Sequence, residues 1–220
     1  LGKSSMLMLK KEKTKYKVHN VEQGSDEWFE LRKTYPLTAS KAQAIGSQGK
    51  GLDTLCWEKL AEKYSTAVEE KYTNKDLQRG VELEPLAREM YELETGNTVT
   101  EVGFITDESI SKVGGASPDG LVNDDGLFET KAFANTKHFQ AIIESNKSGT
   151  FKIESQYIWQ MQQQMLFTGR KWCDFVAYNP NYEQSLLIQR VCADPVAQQK
   201  IITGLKIGEK VIREIETNLK

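Results

Sequence analysis

Histidine and cysteine are nearly missing from this chain, and the shortage removes several kinds of chemistry. Of 220 residues, two are histidine (His19 and His138) and three are cysteine (Cys56, Cys173 and Cys192). No CxxC or other metal-ligand spacing connects them, which excludes a histidine-rich zinc site and an iron–sulfur cluster built on four spaced thiolates. An odd, sparse set of thiols belongs to a reducing compartment. Long apolar runs are missing too: nothing approaches a membrane span, and Leu7–Leu9 is too short for a signal-peptide core. The cytoplasm is therefore the expected location. Basic charge is not in surplus, with 29 Lys and Arg against 31 Asp and Glu for a net −2. That rules out a histone-like or arm-type DNA binder, yet a local cleft can still be positive. "GSQGKG" at 46–51 misses the phosphate-loop pattern, because position 44 is Ala and position 51 is Gly. ATP is not expected as a ligand.

What remains is an ordinary globular composition, 39% apolar and 27% charged, without repeats or low-complexity segments. Residues 1–20 read as a loose basic leader and 21–220 as one domain. "GSDEWFELRK" predicts a helix capped by Ser25, with acids in its first turn and bases in its last. "PLTASKAQAIG" predicts a second, short helix behind Pro36, and "DTLCWEKLAEKYSTA" a third, opened by Asp53. "NKDLQRGVELEPLAREMYELETG" has a long helical pattern interrupted by Gly80 and Pro85, with a kink expected near Glu84. The middle is rich in strands: "TVTEVGFI", a hairpin over 119–131, "KWCDFVAYNP" and "SLLIQRVC". Helices near 136–146 and 155–168 lie between them, and the tail predicts a helix capped by Asp194 with Pro195 at its first position. This order implies an α/β fold, a central mixed β-sheet flanked by helices.

The hairpin carries the chemistry. "SPDG" and "NDDG" are ordinary turn sequences, and a solvated surface hairpin would explain most such segments. Register argues otherwise. With "NDDG" as the turn, Asp119 lies opposite Glu129 or one place from it. Facing like charges destabilise a strand pair, and Val122, Leu127 and Phe128 indicate burial, where the cost grows. A bound cation reverses that sign. Lys131, two residues from Glu129, shares its face. Two carboxylates and an ammonium group then project together, a set suited to a hard, oxygen-liganded ion such as Mg2+, which could polarise a phosphodiester and activate water. Asp124 and Asp125 read as solvated turn residues.

Pro118-Asp119 followed by Glu129-Thr130-Lys131 resembles the signature of the PD-(D/E)xK nucleases, whose restriction-endonuclease-like core carries it on a β-hairpin. The likeness extends through "EQGSDEWFELRKTYPLTASKA", "GVELEPLAREMYELETG", "GGASPDGLVNDDGLFETK" and "SQYIWQMQQQMLFTGRKWCDFVAYNP", in the order of the phage lambda exonuclease or YqaJ-type viral recombinase branch. That resemblance implies a Mg2+-dependent 5′-to-3′ exonuclease, with Mn2+ as a substitute ion, that leaves 3′ overhangs on linear duplex DNA. It implies Asp119, Glu129 and the Thr130 carbonyl as metal ligands, Lys131 acting on the attacking water, and Glu84 near a second metal position. Gln160 and Tyr157 would line the site. Arg32, Ser40 and Ser117 would hold the terminal 5′-phosphate, and Leu77 would wedge the duplex end. It further implies a homotrimeric ring, a single-strand annealing protein as partner, and a phage or prophage protein in the bacterial cytoplasm. On residues alone, Arg32 can also serve its helix C-terminus, Ser40 can be a simple cap, and the glutamines after Gln160 can form a solvated face. An endonuclease on the same core and a non-catalytic DNA-end-binding module are the alternatives.

Overall fold

The computed structural model describes residues 16–67 and 75–219, the side chains of 75–77 excepted. The first strand, β1 (Lys17–His19), lies inside the stretch expected to be a loose leader. It pairs antiparallel with β4 (Phe104–Thr106). Helix α1 (Asp26–Thr34) follows, and the Ser25 hydroxyl accepts from the Trp28 backbone N–H as the sequence predicts.

"PLTAS" departs from the expected helix. Leu37–Thr38 form β2, parallel to β5 (Gly114–Gly115), and a 3-10 turn over Ala39–Lys41 leads into α2 (Ala42–Ser47). The Leu37 N–H donates to the Val113 carbonyl, a long-range partner that outweighs the local preference for a helix after proline. Helix α3 (Lys50–Tyr64) starts earlier than expected, behind Gly49. Asp53 sits in its first turn, where it complements the positive end of the helix dipole rather than capping it. Helix α4 (Lys75–Thr95) runs unbroken through Gly80 and Pro85. Pro85 faces solvent, as does Val81, so water can satisfy the carbonyl that proline leaves unpaired.

The run expected as one strand, "TVTEVGFI", divides between two sheets. Its first part is β3 (Val99–Thr100), an edge of the main sheet, and its second is β4. The chain bends at Gly103, where a Cβ atom would lie 2.1 Å from the Val21 carbonyl oxygen, so only glycine allows the passage. The main sheet is completed by β6 (Gly120–Val122), β7 (Gly126–Ala132), β8 (Trp172–Tyr178) and β9 (Leu186–Cys192), in the order β3-β6-β7-β8-β9. The β7–β8 pair is parallel and the others antiparallel, which makes the sheet mixed. Helices α5 (Asn135–Ser148) and α6 (Ser155–Thr168) form the crossover between β7 and β8. The tail is α7 (Pro195–Thr217), capped by Asp194, whose carboxylate accepts from the Val196 and Ala197 N–H groups.

Alternation along β7 sorts its residues onto two layers. Leu127 joins the larger core, where α2, α3, α6 and α7 pack. Phe128 joins a smaller one with Ala87 and Tyr91 of α4. The sheet is therefore covered on both faces, and the middle of β7 is buried on both sides. Helix α7 comes very close to α2: a Cβ on Gly204 would sit 1.9 Å from the Ile45 carbonyl oxygen. A helical glycine costs about 1 kcal/mol relative to alanine, so its presence here reflects that approach. Gly204→Ala is expected to lose at least about 1–3 kcal/mol by overpacking, a drop in Tm of roughly 2–4 °C per kcal/mol readable in a thermal melt. Among the described residues no helix is long and apolar enough to cross a membrane.

Candidate active site

The hairpin forms in the register that the turn implies. Val122 pairs with Gly126, Leu121 with Leu127, and Gly120 with Phe128. One step beyond the ladder, Asp119 comes beside β7, and its Oδ2 accepts from the Thr130 backbone N–H at 2.8 Å. Asn123 takes the positive φ (45°) that the turn requires, while Asp124 and Asp125 are exposed, as expected. Arg170 fastens the turn from outside, its Nη1 donating to the carbonyls of Val122, Asn123 and Gly126.

Glu129 is fully buried at 0% exposure, and three donors converge on its carboxylate. Lys131 Nζ reaches Oε1 at 2.5 Å, Gln160 Nε2 reaches the same oxygen at 2.8 Å, and Gln164 Nε2 reaches Oε2 at 2.8 Å. The Lys131 ammonium also lies 5.1 Å from the centre of the Tyr157 ring, a cation–π contact. A cleft of about 600 Å3 opens over this group, and Glu84, Asp119, Thr130, Lys131 and Tyr157 all line it. Of the residues singled out for catalysis, Glu84, Asp119, Lys131 and Tyr157 thus line one cavity, whereas Glu129 is fully buried and reaches it only through its bond to Lys131, with Gln160 on the same carboxylate. Leu77 falls within α4, but its side chain lies outside the described residues.

Charge in the cleft is poorly balanced. Burial pushes the Asp119 carboxyl well above the usual range, and the neighbouring Glu129 pushes it further, with Lys131 and the Thr130 N–H opposing. Glu84 is likewise raised, by burial first and in part by Glu129, while Arg88 counteracts. Burial works against the Lys131 ammonium, but Glu129 and Asp119 outweigh it and hold its pKa above the ordinary value. Among the described residues no three His, Cys, Asp or Glu side chains form a ready-made metal cluster. The donors present are two carboxylates and a backbone carbonyl, with Glu84 on the cleft wall. That set fits Mg2+, which uses few protein ligands and keeps several waters, and a divalent charge would remove the penalty now carried by Asp119.

A second cluster forms beside α1. The Arg32 guanidinium lies 4.3 Å from the centre of the Trp28 ring, and its Nη2 donates to Ser40 Oγ at 3.4 Å. Trp28 Nε1 in turn donates to Ser117 Oγ at 2.9 Å. Arg32, with Ser40 bonded to it, is thereby joined through one indole to Ser117, far along the chain. No ion pair to Arg32 occurs among the described residues, and burial lowers its pKa to about 10, with Glu62 pulling the other way. A partly buried fork without a carboxylate is a natural anion receptor. Ser40 sits within the 3-10 turn and bonds to Thr38 Oγ1 at 3.2 Å, so it is not a helix cap.

A profile of the YqaJ-like viral recombinase domain matches residues 27–171, well over half of the sequence. This chain belongs to the YqaJ-like viral recombinase family. An alkaline exonuclease from Laribacter hongkongensis, LHK-Exo, is similar at 35% identity over 88% of this chain and 97% of its own, with a TM-score of 0.71. Its complex with dAMP aligns at 36% identity, 88% and 95% coverage, and a TM-score of 0.70. A phage-related exonuclease from Haemophilus somnus 129PT shares the fold, with a TM-score of 0.63 over 84% of this chain and 96% of its own at 15% identity. No curated protein sequence matches the chain. The central mixed sheet flanked by helices is thus that of PD-(D/E)xK exonucleases, and this YqaJ-like chain is a recombination nuclease by family.

Three contributors to the recombinase site escape a reading of the sequence alone: Trp28, Gln164 and Arg170. For the first two the signal is spacing. Trp28 stands four residues before Arg32, and Gln164 four after Gln160, so each pair shares a helix face. The glutamines after Gln160, which could have been a solvated face, are buried instead. Gln162 bonds to the Cys192 carbonyl and the Asp194 N–H, and Gln163 to the carbonyls of Leu37 and Gly115. Helix α6 lies between the sheet and α7, so that face never meets water.

Proposed function

We propose that this chain is a Mg2+-dependent exonuclease that degrades one strand of linear double-stranded DNA from its 5′ end, leaving 3′ overhangs for phage-type recombination. The observation that carries this reading is the placement of two phosphate-handling clusters at either end of Ser117-Pro118-Asp119. Ser117 belongs to the Arg32–Trp28–Ser40 group and Asp119 to the acidic cleft. Two residues of chain span at most about 7 Å, on the scale of one nucleotide. A terminal 5′-phosphate held by Arg32, Ser40 and Ser117 would leave the next phosphodiester over Asp119 and Glu129. The dAMP bound by the relative LHK-Exo is a nucleotide of the kind such a reaction releases.

Asp119, Glu129 and the Thr130 carbonyl would hold Mg2+ (or Mn2+), with Glu84 near a second position; the bound ion would polarise the phosphodiester and acidify the attacking water. Lys131, on the cleft wall beside Glu129, would orient the water and meet developing negative charge. Tyr157 and Gln160 keep Lys131 and Glu129 in place. Leu77 would part the duplex end. The reading extends to a homotrimeric ring, a single-strand annealing protein that receives the exposed strand, and action in the cytoplasm of a bacterial host.

Linear duplexes with 5′-phosphate or 5′-hydroxyl ends, and a closed circle, would be digested with and without Mg2+. Mg2+-dependent loss of the linear DNA, faster from phosphorylated ends, is the expected result, and nicking of the circle would replace it with an endonuclease. Arg32→Ala should slow digestion from 5′-phosphate ends about 10- to 100-fold, the value of one charge-assisted contact. It should alter digestion from 5′-hydroxyl ends far less.

A further inference from the structure

We infer that Gln164 is a positioning residue for Glu129, completing with Gln160 an amide fork that fixes the carboxylate for its metal; the inference rests on the metal site proposed above. Gln160 and Gln164 are one helical turn apart on α6 and present their NH2 groups to different oxygens, Gln160 to Oε1 and Gln164 to Oε2, each at 2.8 Å. With Lys131 and Gln160 on Oε1 and Gln164 on Oε2, the plane of the carboxylate cannot rotate freely. Gln160 alone would leave Oε2 without a donor in a fully buried place. Tyr157, one turn before Gln160, lies over the Lys131 ammonium. Three successive turns of α6 therefore register against Lys131 and Glu129 of β7.

The orientation of the Gln164 amide is fixed by its neighbour, since turning its Oε1 toward Glu129 would set two acceptors against each other. Gln164 is 0% exposed, and its own Oε1 has no partner. An apolar side chain of similar length would fill that space without stranding an acceptor. The position thus sacrifices one hydrogen bond to supply a donor to Glu129.

Gln163 supplies a matched control. It too is fully buried with an unpaired Oε1, but its Nε2 serves the backbone carbonyls of Leu37 and Gly115 and not Glu129. Removing a group that orients a metal ligand typically costs about 10- to 100-fold in metal affinity. The test is a Mg2+ and Mn2+ titration followed by thermal shift, without DNA, on the full chain and three variants. Gln164→Met is expected to raise the Mg2+ midpoint about 10-fold or more. Gln164→Asn, too short to keep the 2.8 Å contact but still polar, moves it in the same direction and covers the case in which the methionine variant does not fold. Gln163→Met lowers the metal-free Tm while its midpoint stays within about twofold, as expected of a group outside the ligand's surroundings. A folded Gln164 variant with the midpoint of the unaltered chain, or an equal shift in Gln163→Met, overturns the inference. An unaltered chain that responds to neither ion overturns the metal site itself, and the inference with it.

Discussion

Lys131→Ala is expected to slow hydrolysis by about 10²- to 10⁴-fold, the range for losing a group that acts on the proton or charge at the reacting centre. The structure explains why the loss should be large and why it should not be read as a loss of DNA binding. Lys131 is the cation that bonds the buried Glu129 carboxylate, and its side chain is 28% exposed, toward the cleft. Without it, Asp119 and Glu129 face each other with less compensation. The metal-free variant should therefore be less stable, and added Mg2+ should recover more stability in it than in the unaltered chain. Single-turnover cleavage at saturating Mg2+ isolates the chemical step. Unchanged end binding alongside slow cleavage is the expected pattern, whereas equal losses in both would assign Lys131 to the DNA contact.

The second large effect lies on the other face of the sheet. Asp174 of β8 is 3% exposed and forms a two-pronged pair with Arg190 of β9, Nε to Oδ1 at 2.8 Å and Nη2 to Oδ2 at 3.0 Å. Tyr91 of α4 donates to the same Oδ2 at 2.7 Å, and Arg190 lies over the Trp172 ring at 3.6 Å. Arg190→Met should cost about 3 kcal/mol, the low end for breaking a buried pair, because the half-exposed guanidinium is already screened by water. The damage comes from the carboxylate left behind. Asp174→Asn added to Arg190→Met should recover part of the loss. Urea denaturation reads both variants, and no recovery in the double variant would mean that lost stacking on Trp172 dominates. Since Tyr91 stands two turns from Glu84 on α4, this pair also steadies the helix that brings Glu84 to the cleft.

Legibility in the sequence followed the range of the forces involved. The hairpin could be read in register because a tight turn fixes pairing and alternation fixes faces. Helix α6 was bounded correctly at Ser155–Thr168 for a similar reason: Gly169, in the left-handed region, ends it locally. "PLTAS" was misread because the partner of β2 lies far along the chain, and no local pattern announces a two-residue parallel pair. "TVTEVGFI" was misread because the bend at Gly103 answers to the backbone of Val21, which the segment itself cannot reveal. Within the site, charge was the legible part. Facing acids with a lysine on the same face imply an ion, whereas an amide such as Gln164 or an indole such as Trp28 is equally at home in several settings until its partner is known.

The site is also divided along the chain in a way that bears on how the protein is made. Asp119, Glu129 and Lys131 sit on one short hairpin, but the burial of Glu129 depends on α6 and on β8, where its partner in the ladder is Phe175. Parallel pairing requires the whole crossover to form first, and such distant contacts close slowly. A growing chain halted before β8 would already carry both hairpin carboxylates and the lysine, yet they would stand in water without a cleft. Strand-cutting ability therefore arrives with the closing of the crossover, as a property of the nearly finished molecule and not of the segment that bears the signature.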